Sequence, residues 1–195
     1  MRDYIIMTDS CCDLSQQEVK ELELTVLPLS FTIEGKTLLN TPDHADMSPE
    51  EFFAKIAAGA DCTTAAANVG QFTDAMEKVL QEGKDILCVC FSSALSTTYQ
   101  SACIAAEDLR EKYPEAKILV IDSLSASRGQ GMLLYRAVRE RREKNLTIDE
   151  LDAYVRSIIQ SQCHWFIVDD LNHLKRGGRV SATAALVGTM LGIKP

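Results

Sequence analysis

Short apolar runs alternate along the chain with stretches of helical periodicity. Apolar runs over residues 4–8, 86–91 and 116–121 each end in a polar loop, and a stretch with helical periodicity follows each loop. Strands that alternate with helices are typical of a parallel sheet covered by helices on both faces. The hydrophobic pattern therefore predicts an α/β fold.

Capping patterns indicate where the helices begin. A residue that can cap a helix is followed three positions later by Glu or Gln at Ser15, Ser48, Asn68 and Thr147. These patterns predict helices over 16–23, from 49 to about 59, from 69 onward and from 148 to about 161. The periodicity after the apolar runs 86–91 and 116–121 predicts two more helices, over 99–112 and 128–144.

The remaining predicted segments are short. A strand over 25–33, broken at Pro28, leads into a tight turn at Glu34–Gly35, and we expect 36–39 to pair back as a hairpin. We also predict a loop over 60–67, a strand over 163–168 and a basic, glycine-containing loop over 171–179. Ser181 is expected to cap a last helix over 182–191.

The loop after the run 86–91 is the clearest candidate site. It carries hydroxyl groups at Ser92, Ser93, Ser96, Thr97 and Thr98, just before a predicted helix. Backbone N–H groups and hydroxyls at a helix N-terminus are well suited to hold an anion, so we predict a site for a carboxylate or a phosphate. A cluster that only caps its own helix has the same composition, and the loop alone does not separate the two interpretations.

Polar residues follow three predicted strands, at 8–10, 92–96 and 122–127. Because parallel strands end at the same edge of a sheet, and ligands bind outside their carboxyl ends, these loops are predicted to share one edge. Asp9 and Asp122 are expected to accept hydrogen bonds from loop N–H groups, which is commoner than catalysis. Thr63 and Thr64 offer a second pair of hydroxyls, although by themselves they are equally typical of a polar loop.

Other motifs favour structural roles. The chain has no G-x-S-x-G motif and only three histidines, so a nucleophilic serine is not favoured. Gly129 and Gly131 do not form a dinucleotide-binding fingerprint and are expected to permit close helix packing. Cys88 and Cys90 alternate within a strand and are predicted to be buried thiols, with no metal site. The adjacent Cys11 and Cys12 are the cysteines most worth testing for redox activity.

Composition excludes some classes of function. The chain has 195 residues, 46% of them hydrophobic, and a net charge of −8, which argues against a nucleic-acid-binding surface. No apolar run is long enough to cross a membrane or to serve as a signal peptide. Seven cysteines are compatible with free thiols in a reducing compartment. These features predict a cytoplasmic protein.

In the order in which they occur, the motifs resemble the DegV family of bacterial fatty-acid-binding proteins. The matching residues are Thr8–Asp9–Ser10 with Asp13–Leu14, 91–96 with 99–102, Asp122–Ser123 with Gly129 and Gly131, Leu171 and Leu174 with 177–181, and 192–195. Each motif is short, but the ordered set covers nearly the whole chain and is specific.

The resemblance implies a two-lobed α/β protein that binds lipid. It implies a Rossmann-like, DegV-like N-terminal parallel-sheet domain over 1–160 and, over 161–195, the truncated beginning of a second α/β lobe. It also implies one long-chain fatty acid, such as palmitate, in an apolar tunnel, no enzymatic activity and no cofactor or metal ion. The implied roles are presentation of the fatty acid to a fatty acid kinase or lipid transport, with transient membrane contact.

The site residues carried over from the family are hydroxyl and guanidinium groups. Ser93 is the strongest candidate to bind the fatty-acid carboxylate, together with Ser92, and Thr64 and Thr63 are expected to contribute. Arg176 and Arg179 lie in a segment that the resemblance places at the tunnel mouth or at a partner.

The sequence departs from the family pattern at two site positions. Ala65 stands where a serine is usual, so one carboxylate contact is expected to be lost or moved to Thr63 or Thr64. Thr97 stands where glycine is usual, which is expected to narrow the loop or to reflect a less positive φ.

Two alternatives remain open from the sequence. A serine hydrolase or a dihydroxyacetone-kinase-like phosphotransfer domain would need a base or metal-binding carboxylates near Ser93, and Asp9 and Asp122 are the candidates. A chain without its second lobe that binds nothing is the other alternative.

Overall fold

A four-stranded parallel sheet forms the centre of the protein. The computed structural model describes residues 2–165, 167, 171–181, 183, 184 and 188. The parallel sheet consists of β1 (Tyr4–Asp9), β2 (Leu24–Leu27), β6 (Asp85–Cys90) and β7 (Ile118–Asp122), in the order β2-β1-β6-β7. All six residues of β6 are buried, because helices cover both faces of the sheet. The predicted parallel sheet and three of its strands are confirmed.

Helices of the first part of the chain cover both faces of the parallel sheet. The described helices are α1 (Gln16–Glu21), α2 (Pro49–Ala57), α3 (Val69–Gln81), α4 (Thr98–Lys112), α5 (Ser127–Lys144), α6 (Ile148–Ile159) and α7 (Leu171–Arg176). Leu87 and Val89 of β6 pack in one core with α5 and α6, whereas Ile86 and Cys88 pack in a second core with α3 and α4. Alternate side chains of one strand thus enter two different cores.

Capping boxes begin three of the helices, as the sequence predicted. Ser15, Asn68 and Thr147 each accept a hydrogen bond from the backbone N–H three positions later, and the Glu or Gln there bonds back to the cap. Ser48 caps α2 by accepting the Glu51 N–H, without a described bond from the Glu51 side chain back to the cap, and Pro49 stands at the first helical position. Local hydrogen bonds therefore determine these four starting points.

A second, antiparallel sheet begins directly after β2 of the parallel sheet. Pro28 separates β2 from β3 (Leu29–Ile33), which is the middle strand of a small sheet between β4 (Lys36–Asn40) and β5 (Cys62–Ala65). The predicted hairpin is confirmed, because Ile33 pairs with Lys36 at the start of β4 (Lys36–Asn40). Its turn residues Glu34 and Gly35 have φ values of 50° and 76°, as a tight hairpin turn requires.

The prediction of a loop over 60–67 was wrong, because this segment contains β5 (Cys62–Ala65). β5 pairs antiparallel with β3, in the register Phe31 with Thr64. Its four residues are small or polar and largely exposed, so they lack the apolar alternation that marks a strand in sequence. Pairing with a distant strand makes this segment extended.

The chain divides into two compact units, Met1–Gln162 and Cys163–Pro195. Two predictions in the second unit were wrong. The described part of the predicted strand over 163–168, namely 163–165 and 167, is not in a strand. The predicted loop over 171–179 begins with α7.

A glycine terminates α7. Gly178, at φ 76°, donates to the Lys175 carbonyl, and the next N–H, of Arg179, donates to the Leu174 carbonyl. These two hydrogen bonds together form a Schellman motif, in which a glycine ends a helix. The glycine pair in the sequence therefore indicated the end of a helix rather than a loop. Ser181 accepts from the Ala184 N–H at 3.1 Å, as a cap would, but most of the predicted helix over 182–191 lies outside the described residues.

Candidate functional site

The predicted polar loops lie together at the carboxyl edge, the end of the parallel sheet at which β1, β6 and β7 finish. Thr8 pairs with Val89, and Cys90 with Asp122, so the three strands end at the same level. The chain leaves β1 toward β2 on one side and leaves β6 toward β7 on the other. A parallel sheet binds ligands at such a reversal, because the connecting helices lie on opposite faces and leave a crevice.

Asp9 links the two strands at this reversal. The residue is fully buried, and its Oδ2 accepts the Phe91 N–H at 2.7 Å while its Oδ1 accepts the Cys11 N–H at 3.0 Å. Burial raises the pKa of this carboxyl, and the two backbone N–H groups oppose the shift. These contacts confirm the structural role that was predicted for Asp9.

The loop Ser92–Thr98 uses its N–H groups internally. The N–H groups of Ala94, Leu95 and Ser96 all donate to Ser92, and that of Thr98 donates to the Ser96 hydroxyl. The Ser92 N–H donates to the loop that follows β7, and the Ser93 N–H donates to Asp122 at the end of β7. The prediction that backbone N–H groups are presented to an anion was therefore wrong for residues 92–96 and for Thr98, whose N–H groups already have acceptors.

Ser92 and Ser93 have different surroundings. Ser92 is 4% exposed, and its hydroxyl accepts the Ala94 N–H at 3.3 Å. The Ser93 side chain is exposed, and its hydroxyl has no hydrogen-bond partner among the described residues. Ser93 is therefore the hydroxyl of this pair that can donate freely to a ligand, whereas Ser92 shapes the turn.

The first N–H of α4 is capped by Ser96 rather than by the residue directly before the helix. Thr97, directly before α4, has φ −80° and ψ 1° and makes no side-chain cap bond. The Ser96 hydroxyl instead accepts the Thr98 N–H at 3.2 Å. Because φ is negative at Thr97, the backbone does not need the glycine that is usual at this position in the family. This agrees with the expectation that threonine here reflects a less positive φ.

Thr63 and Thr64 lie on opposite faces of the small sheet. Thr64 pairs with Phe31, whose ring packs edge-on against Phe52 of α2 at 5.3 Å, so Thr64 is on the apolar face. Thr63 pairs with Thr32, whose hydroxyl is 2.9 Å from that of Thr37 on the polar face. Since successive side chains of a strand point to opposite faces, these hydroxyls do not act as a pair on one ligand.

The other predicted site positions are also described. Ala65 pairs with Ser30 on the face that carries Thr63. Arg176 ends α7, and Arg179 lies in the turn that follows; both side chains are exposed. Their role at a tunnel mouth stays a prediction.

Gln130 is a polar core residue that the sequence analysis missed. It is fully buried on α5, and its Nε2 donates to the Thr8 hydroxyl at 2.9 Å, which in turn donates to the Val89 carbonyl at 2.8 Å. Its Oε1 has no partner among the described residues. The neighbouring Gly131 explains the close approach, since a Cβ there would lie 2.9 Å from the Cys12 carbonyl oxygen. The Gly-x-Gly spacing at a helix start was the available signal.

Four of the cysteine thiols, those of Cys11, Cys12, Cys88 and Cys90, lie in surroundings that do not activate them. Cys88 and Cys90 are fully buried with their sulfurs 3.5 Å apart, as predicted for buried thiols. Burial raises the pKa of Cys12 to about 11 and also raises that of Cys11, next to the negative Asp9 and Asp13. Since the thiolate is the reactive form, neither position favours redox chemistry.

A cavity of about 480 Å³ lies beside α2, and none of the predicted site residues lines it. It is lined by Glu34, Glu51, Lys55 and Gly59, among others. Its charged lining does not suit an acyl chain. Among the described residues, no helix has the length and apolar content needed to cross a membrane.

The fold is that of a doubly wound α/β protein, and its carboxyl edge carries an exposed serine hydroxyl. The family model described as "Uncharacterised protein, DegV family" matches residues 4–195, and the chain belongs to this family. The resemblance and the α/β fold are thereby confirmed.

Individual relatives agree with this assignment. DegV domain-containing protein CPE0026 of Clostridium perfringens is 40% identical over 195 residues, which cover all of this chain and 66% of that protein. A solved structure described as fatty acid binding of a DegV family protein, from Thermus thermophilus, is 31% identical with a TM-score of 0.82, covering 100% of this chain and 66% of that one. A stearic-acid-binding protein from Eubacterium ventriosum is 27% identical with a TM-score of 0.83, covering 98% and 65%. The chain thus spans 66% of the length of its curated relative.

Proposed function

We propose that this chain binds a long-chain fatty acid and that the Ser93 hydroxyl donates to its carboxylate. The observation that carries the proposal is the exposed Ser93 hydroxyl, without a described partner, at the reversal point of the parallel sheet. Similarity to structures described as binding fatty acid and stearic acid supports the choice of ligand.

Thr64 is the second hydroxyl in this proposal. It lies on the apolar face of the small sheet with Phe31, so a hydroxyl and apolar side chains occur on the same surface. That combination fits a carboxylate with an attached hydrocarbon chain. Thr63 lies on the other face and makes no contact with the ligand in this proposal, and Ser92 acts by holding the turn.

Burial of the hydrocarbon chain supplies most of the affinity. Each buried CH₂ contributes about 0.8 kcal/mol, so a long acyl chain binds firmly even to a few neutral hydroxyl donors. A short carboxylic acid lacks this contribution and is expected to bind weakly. The proposed ligands are therefore acids of the length of palmitate.

The surroundings of Ser93 support binding rather than catalysis. The two candidate bases, Asp9 and Asp122, accept backbone N–H groups, and neither bonds to the Ser93 hydroxyl among the described contacts. A hydrolase needs a base within hydrogen-bond reach of its nucleophile. We therefore propose that the chain is not an enzyme.

The partner that we propose is a fatty acid kinase that phosphorylates the bound carboxylate. This proposal rests on the motif resemblance, and it agrees with a carboxylate held at an exposed hydroxyl. The second α/β lobe, for which 161–195 would be the beginning, a cytoplasmic location, transient contact with a membrane and a partner-facing role for Arg176 and Arg179 belong to the same proposal.

Ligand uptake tests the proposed function. The chain is delipidated, incubated with palmitate and examined by native mass spectrometry, with hexadecanol and butyrate as matched controls. We expect one palmitate per chain, hexadecanol bound about tenfold more weakly because it lacks the carboxylate, and no retained butyrate. Delipidated protein that takes up neither palmitate nor oleate would refute the proposal.

A further inference from the structure

The loops that follow β6 and β7 are tied together at Ser92 and Ser93. The Ser92 N–H donates to the Ser125 carbonyl at 3.1 Å, and the Ser93 N–H donates to Asp122 Oδ1 at 3.1 Å. The same Asp122 oxygen accepts the Leu124 N–H at 3.1 Å. One carboxylate oxygen therefore fixes the backbone of two residues that lie 31 positions apart in sequence.

Leu124 has an unusual conformation at this point. Its φ is 49°, in the left-handed region that a Cβ makes unfavourable, and its side chain is 47% exposed. A bulky residue keeps such a conformation only where its surroundings hold it, and strain of this kind is concentrated at ligand sites. The bond from its N–H to Asp122 is one contact that holds it.

The shared oxygen brings a polar and an apolar group together. The amide nitrogens of Ser93 and Leu124 lie within two hydrogen-bond lengths of each other, because both donate to Asp122 Oδ1. Both side chains are exposed. A hydroxyl beside an aliphatic side chain suits a ligand whose carboxylate continues into a hydrocarbon chain.

We propose that Asp122 is a positioning residue for the ligand site, which presents the Ser93 hydroxyl and the Leu124 side chain together. Its carboxylate acts through the Ser93 backbone and does not touch the ligand. A single side-chain oxygen that accepts both N–H groups holds the two loops at a fixed spacing, which suits this anchor. The inference rests on the proposed function, since its ligand is the fatty acid.

A double-mutant cycle tests whether Asp122 acts through Ser93. Palmitate affinity is measured for the whole chain as wild type, Asp122→Ala, Ser93→Ala and the double variant. We expect Asp122→Ala to weaken binding about fivefold in the wild-type background and less than about twofold in the Ser93→Ala background, because the anchored hydroxyl is then absent. Equal losses in both backgrounds, or no loss at all, would overturn the inference.

The conservative variant separates positioning from general structural damage. The Asn carboxamide oxygen also accepts two N–H groups, so Asp122→Asn is expected to recover part of the affinity that Asp122→Ala loses. Asp108→Ala on α4 removes the same charge at an exposed site and is expected to bind like the wild type. An Asp122→Asn variant that binds no better than Asp122→Ala would contradict the anchor.

The outcomes distinguish this inference from the proposed function. A wild type that binds no fatty acid refutes both. A wild type that binds, with Asp122→Ala unchanged, refutes only the role of Asp122. If Asp122→Ala does not fold, the same cycle with Asp122→Asn decides, since its smaller loss must also disappear in the Ser93→Ala background.

Discussion

The parallel sheet has a buried aspartate at each of its two edges, and the two carboxylates have different partners. At the amino edge, where the strands begin, Asp85 accepts the Lys117 N–H at 3.0 Å and lies 3.0 Å from Arg2 Nε. At the carboxyl edge, Asp9 accepts the backbone N–H groups of Phe91 and Cys11 and has no ion pair among the described residues. Both carboxylates connect neighbouring strands, but only Asp85 has a cation beside it.

The side chains around the two aspartates also differ. At the amino edge, the Tyr4 hydroxyl donates to the Leu146 carbonyl at 2.8 Å, and the Arg141 guanidinium lies 4.1 Å from the centre of the Tyr4 ring. At the carboxyl edge, the Ser93 hydroxyl and the Leu124 side chain are exposed. The amino edge is thus closed by paired polar and aromatic groups, whereas the carboxyl edge leaves a hydroxyl and an aliphatic side chain exposed.

The largest effect on stability is expected at the amino edge. Asp85→Ala should lower the free energy of unfolding by about 3 kcal/mol, because at a 5% exposed position it removes the acceptor of the Lys117 N–H and the nearer of the two carboxylates beside Arg2. Urea unfolding measures this change, and the exposed Asp74→Ala serves as control, with a change within about 0.5 kcal/mol. A loss of less than about 1 kcal/mol for Asp85→Ala would remove the distinction between the edges.

At the carboxyl edge, a substitution is expected to weaken ligand binding and to leave the stability unchanged. Ser93→Ala should weaken palmitate binding about tenfold, which is about 1.4 kcal/mol, while the free energy of unfolding stays within about 0.5 kcal/mol. A binding titration and urea unfolding are measured on the same preparation. Ser157→Ala on α6, another exposed serine, is the control and should change neither quantity. Undiminished palmitate binding by Ser93→Ala would show that this edge holds the ligand without its hydroxyl.

A smaller effect is expected from the two threonines of β5. Thr64→Val should weaken palmitate binding about threefold, whereas Thr63→Val should leave it unchanged, because the two side chains lie on opposite faces of the small sheet. Both variants replace a hydroxyl with a methyl group, so each controls for the other. Equal losses in the two variants would contradict the assignment of faces to the ligand.

The smallest effect concerns the pH dependence of stability. Burial raises the pKa of Asp9, so its contribution to stability is fully present below the unfolded-state pKa of about 3.9 and is lost as the pH rises through the folded pKa. The unfolding free energy of the wild type minus that of Asp9→Asn should therefore fall as the pH rises from about 4. Urea unfolding across the acid range measures this difference.

Glu18 provides a control of opposite sign for the pH experiment. The Ser15 backbone N–H, with Arg128 beside it, lowers the pKa of Glu18 to about 2. Its contribution is present above the unfolded-state pKa of about 4.3 and is lost as the pH falls through about 2. The difference between wild type and Glu18→Gln should thus rise with pH. A pH-independent difference for Asp9→Asn would indicate that its N–H partners cancel the effect of burial.

Patterns within a few residues predicted most of the secondary structure. The capping boxes at Ser15, Asn68 and Thr147 identified three helix starts, because each involves atoms only three residues apart. β5 was missed because its extended conformation comes from pairing with β3, about 30 residues earlier, rather than from its own composition. α7 was missed because the segment 171–179 was predicted as one loop on account of its glycines, which in the structure terminate the short helix.

The sequence by itself determined the alternation of strands and helices, and hence that polar loops share one edge of a parallel sheet. Only the tertiary structure decided which groups of that edge remain available. The N–H groups of the loop after β6 donate to neighbouring residues of the loop, to Ser125 and to Asp122. In the small sheet, strand pairing places Thr63 and Thr64 on opposite faces. The physical reason is that a polar group is available only when no partner saturates it. At Ser93 the amide's partner comes from a carboxylate 29 residues away, which no local pattern predicts.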